Sequence, residues 1–486
     1  MKYILITVLL VGMITAPSCK REELLSPLPP TSIIDSFAFD TPERIINQVR
    51  ALYSNLKNGQ FYGGRYLIYN DIRGEEFLNQ LTNGVTGYGT WNFALTNTAQ
   101  EVQGLWSQAY YVINTANVFL DGLTTKGKGI VSDSLALDYE AEAKFIRALS
   151  YYSLLQLYAR PYWDGNGSKP GLPLRLKGNK SIQDYSLERS TVTQIYDQVL
   201  TDLNFAETNL PLQYGTAALN TTRAHRNTAI ALKTRVYMSM QRYDKVIEEA
   251  GKIVGAGPVS SAATGVKHKL ESDITTVFAS PYTSVESILS MPMSADEVPG
   301  TQNQLAYYYS PTSANGGIGN GEYALNPDGI IANTGWTAAD KRRSFIHTTA
   351  STGKKWLIKY KVRSPFTDWI PVIRYSEVLL NYAEALVRET NSVDTRALEM
   401  LNEVRKRSDA ATTLAPADFD AMIDALLTER RIEFLGEGRR SPDLLRLGLT
   451  IPGKAAVVAV PATDIKYIWP ISAAELLLNS KMIDNK

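Results

Sequence analysis

Apolar residues return every three or four positions through several long stretches, and that spacing commits most of the chain to packed helices. Ala141, Phe145, Ala148, Tyr152 and Leu155 are separated by four, three, four and three positions, which puts all five on one helical face. Tyr375, Leu379, Tyr382 and Leu386 repeat the rhythm. Further helical windows cover 42–56, 101–123, 192–209, 227–240, 244–254, 396–407 and 419–435. Helices therefore dominate both ends of the sequence.

The windows at 227–240 and 244–254 are joined by a few residues, and Ala231, Leu232, Tyr237, Tyr243 and Ala250 resemble a tetratricopeptide helix hairpin. The stretches 138–158 with 192–209, and 374–389 with 396–407, read as further divergent pairs. From about 256 to 371 the rhythm lapses while Gly, Ser, Thr, Asn and Tyr become common, and the same happens at 81–97. Ordered irregular backbone is costly, and long loops in compact proteins are usually functional, so the binding surface is expected there. The expected fold class is mainly α: a tetratricopeptide-like helical-repeat scaffold with an irregular, loop-rich lobe. Residues 37–486 read as one domain, with an N-terminal part at about 37–255, the lobe at about 256–371 and a C-terminal helical part at about 372–486.

Residues 1–18 have the form of a secretory signal: Lys2, an apolar run at 3–14 too short to span a bilayer, then Ala16, Pro17 and Ser18 before Cys19. Lipid transfer needs a thiol directly after a small residue at the cleavage point, so Cys19 is expected to carry the lipid. Residues 19–36, with Pro27, Pro29 and Pro30, read as a semi-rigid tether to the membrane. Cys19 is the only cysteine, so no disulfide forms and stability must come from packing. No later stretch offers the roughly 18–20 uninterrupted apolar residues of a spanning helix.

Fifty basic against 49 acidic residues leave a formal charge of +1, which gives no electrostatic reason to expect nucleic acid and favours neutral ligands. His225, His268 and His347 are isolated in sequence, so neither a metal site nor a Ser/His/Asp triad is expected, and no cofactor is implied. The glycine-rich piece at 316–321 lacks phosphate-loop spacing. A glycosidase needs only two suitably separated acids, which keeps Asp71, Glu75 and Glu76 open as an enzymatic alternative. Glu429, Glu433 and Glu437 stand four apart, as on one helical face, but Arg430, Arg431, Arg439 and Arg440 around them favour ion pairing.

The positive chemical signal is aromatic: 27 Tyr, 7 Trp and 13 Phe, several of them in the irregular segments. Aromatic faces stack on the C–H faces of sugars while nearby polar groups bond the hydroxyls, although hydrophobic peptides would suit the same mixture. Tyr151, Tyr152, Tyr158 and Tyr237 fall on helices and belong to the core. Tyr88, Trp91, Tyr307, Tyr323 and Trp336 are the expected stacking platforms, with Asp71 and Asn83 as polar contacts.

Seven pieces in order carry a family resemblance: the Cys19 signal; WSQAYYVINTANVFLDG at 106–122; AEAKFIRALSYYSLLQLY at 141–158 with GLPL at 171–174; IRYSEVLLNYAEA at 373–385; LNEVRKR at 401–407; ERRIEFLGEGRRSPDLLRLG at 429–448; and Trp469-Pro470-Ile471 with Glu475 and Asn479. Together they resemble the SusD/RagB family of outer-membrane nutrient-binding lipoproteins of the Bacteroidota. The resemblance implies a non-catalytic protein on the cell surface that binds oligosaccharide or polysaccharide, sometimes peptide, as a lid over a SusC-type TonB-dependent transporter. It implies a ligand face built from variable loops, and a bracing role for Arg342 beside Asp340. Helix hairpins also bind proteins, so a scaffold for outer-membrane assembly is a further alternative. The chain departs from the family at 159–163, where Ala-Arg-Pro-Tyr-Trp replaces the usual Gly-Asp-Val-Pro run, and a longer loop follows before Gly171, able to reshape one edge of the lobe.

Overall fold

Helix α1 (Pro42–Leu56) begins where the Thr41 hydroxyl accepts the Arg44 N–H at 3.3 Å, and Pro42 occupies a first-turn position that needs no donor. It buries Ile45, Val49, Leu52 and Leu56 on one face. The other long helices follow the same logic: α3 (Gln100–Thr125), α4 (Asp133–Tyr158), α5 (Val192–Asn209), α6 (Arg226–Ser239), α7 (Tyr243–Ala250), α8 (Tyr375–Thr390), α9 (Thr395–Ser408) and α10 (Phe419–Glu433). Thr191 and Gln194 close a reciprocal capping box at α5, and Asp394 and Asp418 cap α9 and α10. The computed structural model describes residues 37–127, 129–181, 184–255 and 264–485; the signal, Cys19 and the tether lie outside the described residues.

Several short helices escape the periodicity argument. In α2 (Arg65–Ile72) all eight residues are buried, so no polar face marks it as a helix. The short α11 (Arg440–Arg446) likewise buries Ser441 through Arg446.

Helices α3 to α8 pack each against the next, α8 also receives α9 and α10, and α1 lies on α3 and α4. The three expected hairpin pairs, α4 with α5, α6 with α7 and α8 with α9, are all in contact. One principal hydrophobic core draws on residues from Ala38 to Met482. Among the described residues, the irregular segment is tied down by three two-stranded antiparallel sheets: β1 (Phe77–Asn79) with β3 (Tyr323–Leu325), β2 (Ser287–Met291) with β6 (Ile370–Arg374), and β4 (Ile346–Thr348) with β5 (Lys355–Leu357). Because β6 runs directly into α8, the lobe and the helical stack share a backbone junction.

That junction carries a buried ion network. Glu433 of α10 accepts from Arg374 at 2.8 Å, Arg407 at 2.6 Å and Arg342 at 3.0 Å. Glu286 meets Arg374 at 2.5 Å and Arg407 at 2.8 Å, Glu429 meets Arg342 at 2.6 Å, and Glu437 meets Arg374 and Lys359, both at 2.8 Å. The acids do pair, as the sequence predicts, but with distant cations. Neighbours on a helix diverge by about 100° per residue, so Arg430 turns to Asp443 at 2.8 Å and Arg431 to Glu76 at 2.7 Å. Glu437 lies past the end of α10 and does not share its face. Burial raises the Glu433 carboxyl, but Arg407, Arg374 and Arg342 together hold it well below the usual carboxylate range.

His225 and His268, separate in sequence, are stacked with ring centroids 5.3 Å apart, and burial pulls their values down to about 3 and about 4. Two limbs of acid destabilisation follow. The unfolded chain binds protons at these histidines below roughly pH 6.5 while the folded chain does not, so stability declines from there downward. The Glu433 contribution is complete above about pH 4.3 and is lost as pH falls further. Urea melts should show both limbs. Glu433→Gln should cost about 3–5 kcal/mol at pH 7 by leaving buried arginines uncompensated, with the gap to wild type narrowing below about pH 4. Equal midpoints at pH 7 would refute the role given to this carboxylate.

Candidate functional site

Strand β1 pairs with β3 in the register Phe77 to Leu325, Leu78 to Ala324 and Asn79 to Tyr323, and so fixes where the following loop leaves the protein body. In that loop the Asn83 side chain accepts the Val85 N–H at 3.0 Å, and Gly87 at φ 89° reverses the chain as only glycine does cheaply. The short helical turn Tyr88–Trp91 follows. Trp91 is oriented from beneath, its Nε1 donating to the Phe77 carbonyl at 2.8 Å, and Tyr88 stacks on it with centroids 6.0 Å apart and planes 21° apart.

The facing wall comes from the C-terminal part of the chain. Ile451 and Val460 exchange backbone hydrogen bonds of 2.9 Å, and Lys454 and Val457 close the hairpin at 3.0 and 2.9 Å around Ala455, which takes φ 47°. Lys454 pins this hairpin to the end of α2: its Nζ donates to the Ile72 carbonyl and, at 2.7 Å, to that of Gly74. It also lies 5.6 Å from the Trp91 ring and 5.3 Å from Phe93. Burial pulls its ammonium well below the usual lysine range.

Between the two walls lies a cavity of about 520 Å³, lined by Tyr88, Trp91, Phe93, Asn79, Asn92 and the 455–460 hairpin, with Asp464 and Lys466 at one end. Its volume is in the range of small-molecule sites, and its mixture of aromatic faces with amide, carboxylate and ammonium groups is that of a site for a hydroxyl-rich ligand. A second cavity of about 490 Å³ shares the 455–459 hairpin and adds Asn326 and Asp328. The Pro452-Gly453 and Pro461 punctuation around a run of small residues is the one sequence signal that could have marked this hairpin.

Of the seven residues expected to touch ligand, Tyr88 and Trp91 line the cavity together and Asn83 shapes their loop. Tyr307 is half-buried elsewhere, edge-on to Phe366 at 6.1 Å. Tyr323, Asp71 and Trp336, expected at the ligand face, lie in the interior instead. Tyr323 is buried against Tyr308, with centroids 6.0 Å apart, and its hydroxyl props the binding loop through the Thr86 carbonyl at 2.8 Å. Trp336 lies under the Arg343 guanidinium at 4.3 Å. Asp71 accepts the Gly438 N–H at 2.9 Å and the Tyr309 hydroxyl at 3.0 Å, and burial pushes its carboxyl up to about 7. Irregular composition does not mean surface: the short β1–β3 sheet carries Tyr323 into the core.

The acids offered for hydrolysis are engaged with arginines. Arg431 lies 2.9 Å from Glu75 and 2.7 Å from Glu76, and Arg440 lies 2.5 Å from Glu75. Burial pushes Glu76 up, with Glu75 adding to it; burial also raises Glu75, but Arg440 and Arg431 outweigh it and hold that carboxyl below its usual value. The crevice that Asp71 and Glu76 share measures only about 10 Å³, room for about one water and far from the space a sugar between two carboxyls requires. Among the described residues, no helix is long and apolar enough to cross a membrane.

Residues 29–238 match a family model described as starch-binding associating with outer membrane, and residues 337–486 match that of the SusD family. The chain is 24% identical to SusD-like protein P2 of Formosa agariphila, with 92% of each chain covered. Surface glycan-binding protein A from Bacteroides thetaiotaomicron, solved in complex with laminarihexaose, shares the fold at a TM-score of 0.72 and 20% identity, over 92% of this chain and 99% of that one. A crystal structure of a SusD superfamily protein from Bacteroides fragilis superposes with a TM-score of 0.80 at 33% identity, over 91% of this chain and 99% of that chain. With that likeness spanning nearly the whole of both chains, this protein belongs to the SusD superfamily.

Proposed function

We propose that the protein is a non-catalytic glycan-binding lipoprotein of the outer membrane. In this reading Cys19 carries the lipid, the cavity beside Tyr88 and Trp91 captures oligosaccharide at the cell surface, and a SusC-type TonB-dependent transporter receives it. The observation that carries the reading is the stacked Tyr88–Trp91 pair opening onto a cavity of about 520 Å³ with Asn79, Asn92 and Asp464 in its walls. Aromatic faces take the C–H face of a sugar ring, and the polar groups around them can bond its hydroxyls. The laminarihexaose complex of a protein with the same fold supports the choice of glycan over peptide. The pairing of Glu75 and Glu76 with arginines supports capture without hydrolysis.

Titration calorimetry against a polysaccharide panel should find at least one ligand, and Tyr88→Ala should weaken its binding by about 1 kcal/mol without lowering thermal stability by more than a few degrees. Binding of a peptide pool with none of the glycans would replace the ligand class. Release of reducing sugar by the purified protein, abolished by Glu76→Gln, would overturn the non-catalytic reading.

Cys19→Ala should release the protein from membrane fractions while leaving soluble binding intact, and unchanged retention would remove the lipid anchor from the proposal. Co-purification from solubilised outer membranes should bring down a TonB-dependent transporter; recovery of assembly machinery alone would favour the scaffold alternative.

A further inference from the structure

We infer that the departure at 159–170 builds a second glycan subsite, so that the ligand is an extended chain held on both sides of the Asp464–Lys466 turn. The inference rests on the glycan reading above. The longer loop is not slack: Arg160 donates to Asp164 at 2.6 Å and to the Ala462 carbonyl at 2.5 Å, Gly167 donates to the Tyr162 carbonyl at 2.7 Å, and Thr193 donates back to Gly167 at 2.9 Å. With Tyr162 edge-on to Tyr196 at 5.7 Å, these bonds hold the irregular backbone in one shape.

What the loop builds is a cavity of about 610 Å³, with Trp163 and Lys169 on one side and Asp464 and Ile465 on the other. Trp163 is set in place. Its Nε1 donates to the Leu445 carbonyl at 2.7 Å, and Gly448 at φ 67° leaves room for the indole, since a Cβ there would sit 3.2 Å from the ring. The cavity's fixed cations are already engaged: Arg160 holds Asp164, and Arg189 donates to the carbonyls of Gly171 at 2.8 Å, Pro170 at 3.0 Å and Ile483 at 3.2 Å. Asp484 accepts the backbone N–H groups of Ile471 at 2.7 Å and Asn485 at 2.8 Å. The lining sets three cations, Arg160, Lys169 and Arg189, against three carboxylates, Asp164, Asp464 and Asp484, and a wall with no net charge suits an uncharged, hydroxyl-rich ligand better than an anion.

Asp464 lines this cavity and the Tyr88–Trp91 cavity alike. Its side chain accepts the Lys466 N–H at 2.8 Å, which fixes the turn between the two. Two half-buried aromatic platforms flank one turn, and a chain crossing it engages both. Linked sites of this kind raise affinity through effective concentration rather than through new contacts at either one.

Titration with laminari-, malto- and xylo-oligosaccharides of two to eight residues tests the arrangement. In the series that binds, affinity should climb with chain length past the residues that fill the first cavity. Trp163→Ala should lower affinity for the octasaccharide about tenfold and leave the disaccharide unchanged. Lys169→Ala, on the exposed rim, provides a variant with no packing role and should lower octasaccharide affinity about threefold. Short chains that bind as tightly as long ones, or octasaccharide binding unchanged in both variants, would overturn the second subsite while leaving the first intact. Absence of binding in all three series and across the polysaccharide panel would overturn the glycan reading along with it.

Discussion

The grip of Arg342, Arg374 and Arg407 on the Glu433 carboxylate is the constraint from which the rest of the architecture follows. Each arginine comes from a different place: the lobe, the β6–α8 junction and α9. Buried ion pairs contribute little net stability over an apolar equivalent, because desolvation offsets the attraction, yet removing one partner leaves a buried charge with nowhere to go. Their effect is to specify. An arrangement that slid α10 by one residue would bring an adjacent residue to the three guanidinium groups, so the network holds the register of lobe against stack.

From that junction the constraint passes outward through backbone pairing. Strand β2 on β6 anchors the lobe, β3 on β1 places the loop of Tyr88 and Trp91, and Lys454 fastens the opposing hairpin to α2. Both walls of the cavity therefore stand on buried hydrogen bonds and leave little ordering for a ligand to supply, which is where weak stacking contacts gain affinity. Lys454 makes the point by its chemistry. Burial disfavours its charge, and the two backbone carbonyls and two aromatic faces around it offer partial compensation, so it acts as a fastener and not as a rim cation offered to ligand.

The helical scaffold was legible because half-buried helices must alternate apolar and polar faces; the windows at 42–56 and 192–209 coincide with α1 and α5 to the residue. Where a helix is buried all round, as in α2, that signal vanishes. The site was half legible for a related reason. Tyr88 and Trp91 lie three apart inside a glycine- and asparagine-punctuated loop, so one local turn brings them together. Tyr323 and Trp336 look alike in composition, but Tyr323 is buried in the strand pairing between β1 and β3, a contact between distant parts of the chain that no local pattern encodes, and Trp336 is buried beneath Arg343. The 451–460 hairpin announces little because Ala and Val carry no distinctive chemistry; its contribution is shape.

The motifs that carry the family resemblance and the residues that line the cavities are nearly disjoint, and the energetics explain why. Arg374, Glu377, Glu384, Arg430, Glu433 and Arg446 all fall within the motifs at 373–385 and 429–448, and all are buried in charge pairs. Altering one strands its partner, at a cost of several kcal/mol against a total stability of about 5–15. Tyr88, Trp163 and Lys169 lie outside those motifs at half-buried or exposed positions, where replacing a side chain shifts stability far less. A scaffold held by interior charge can therefore change its cavity-lining side chains without renegotiating its fold: the loop at 159–170 is braced to the body through Arg160 on the Ala462 carbonyl and through Tyr162 edge-on to Tyr196, which leaves its rim around Lys169 free to vary.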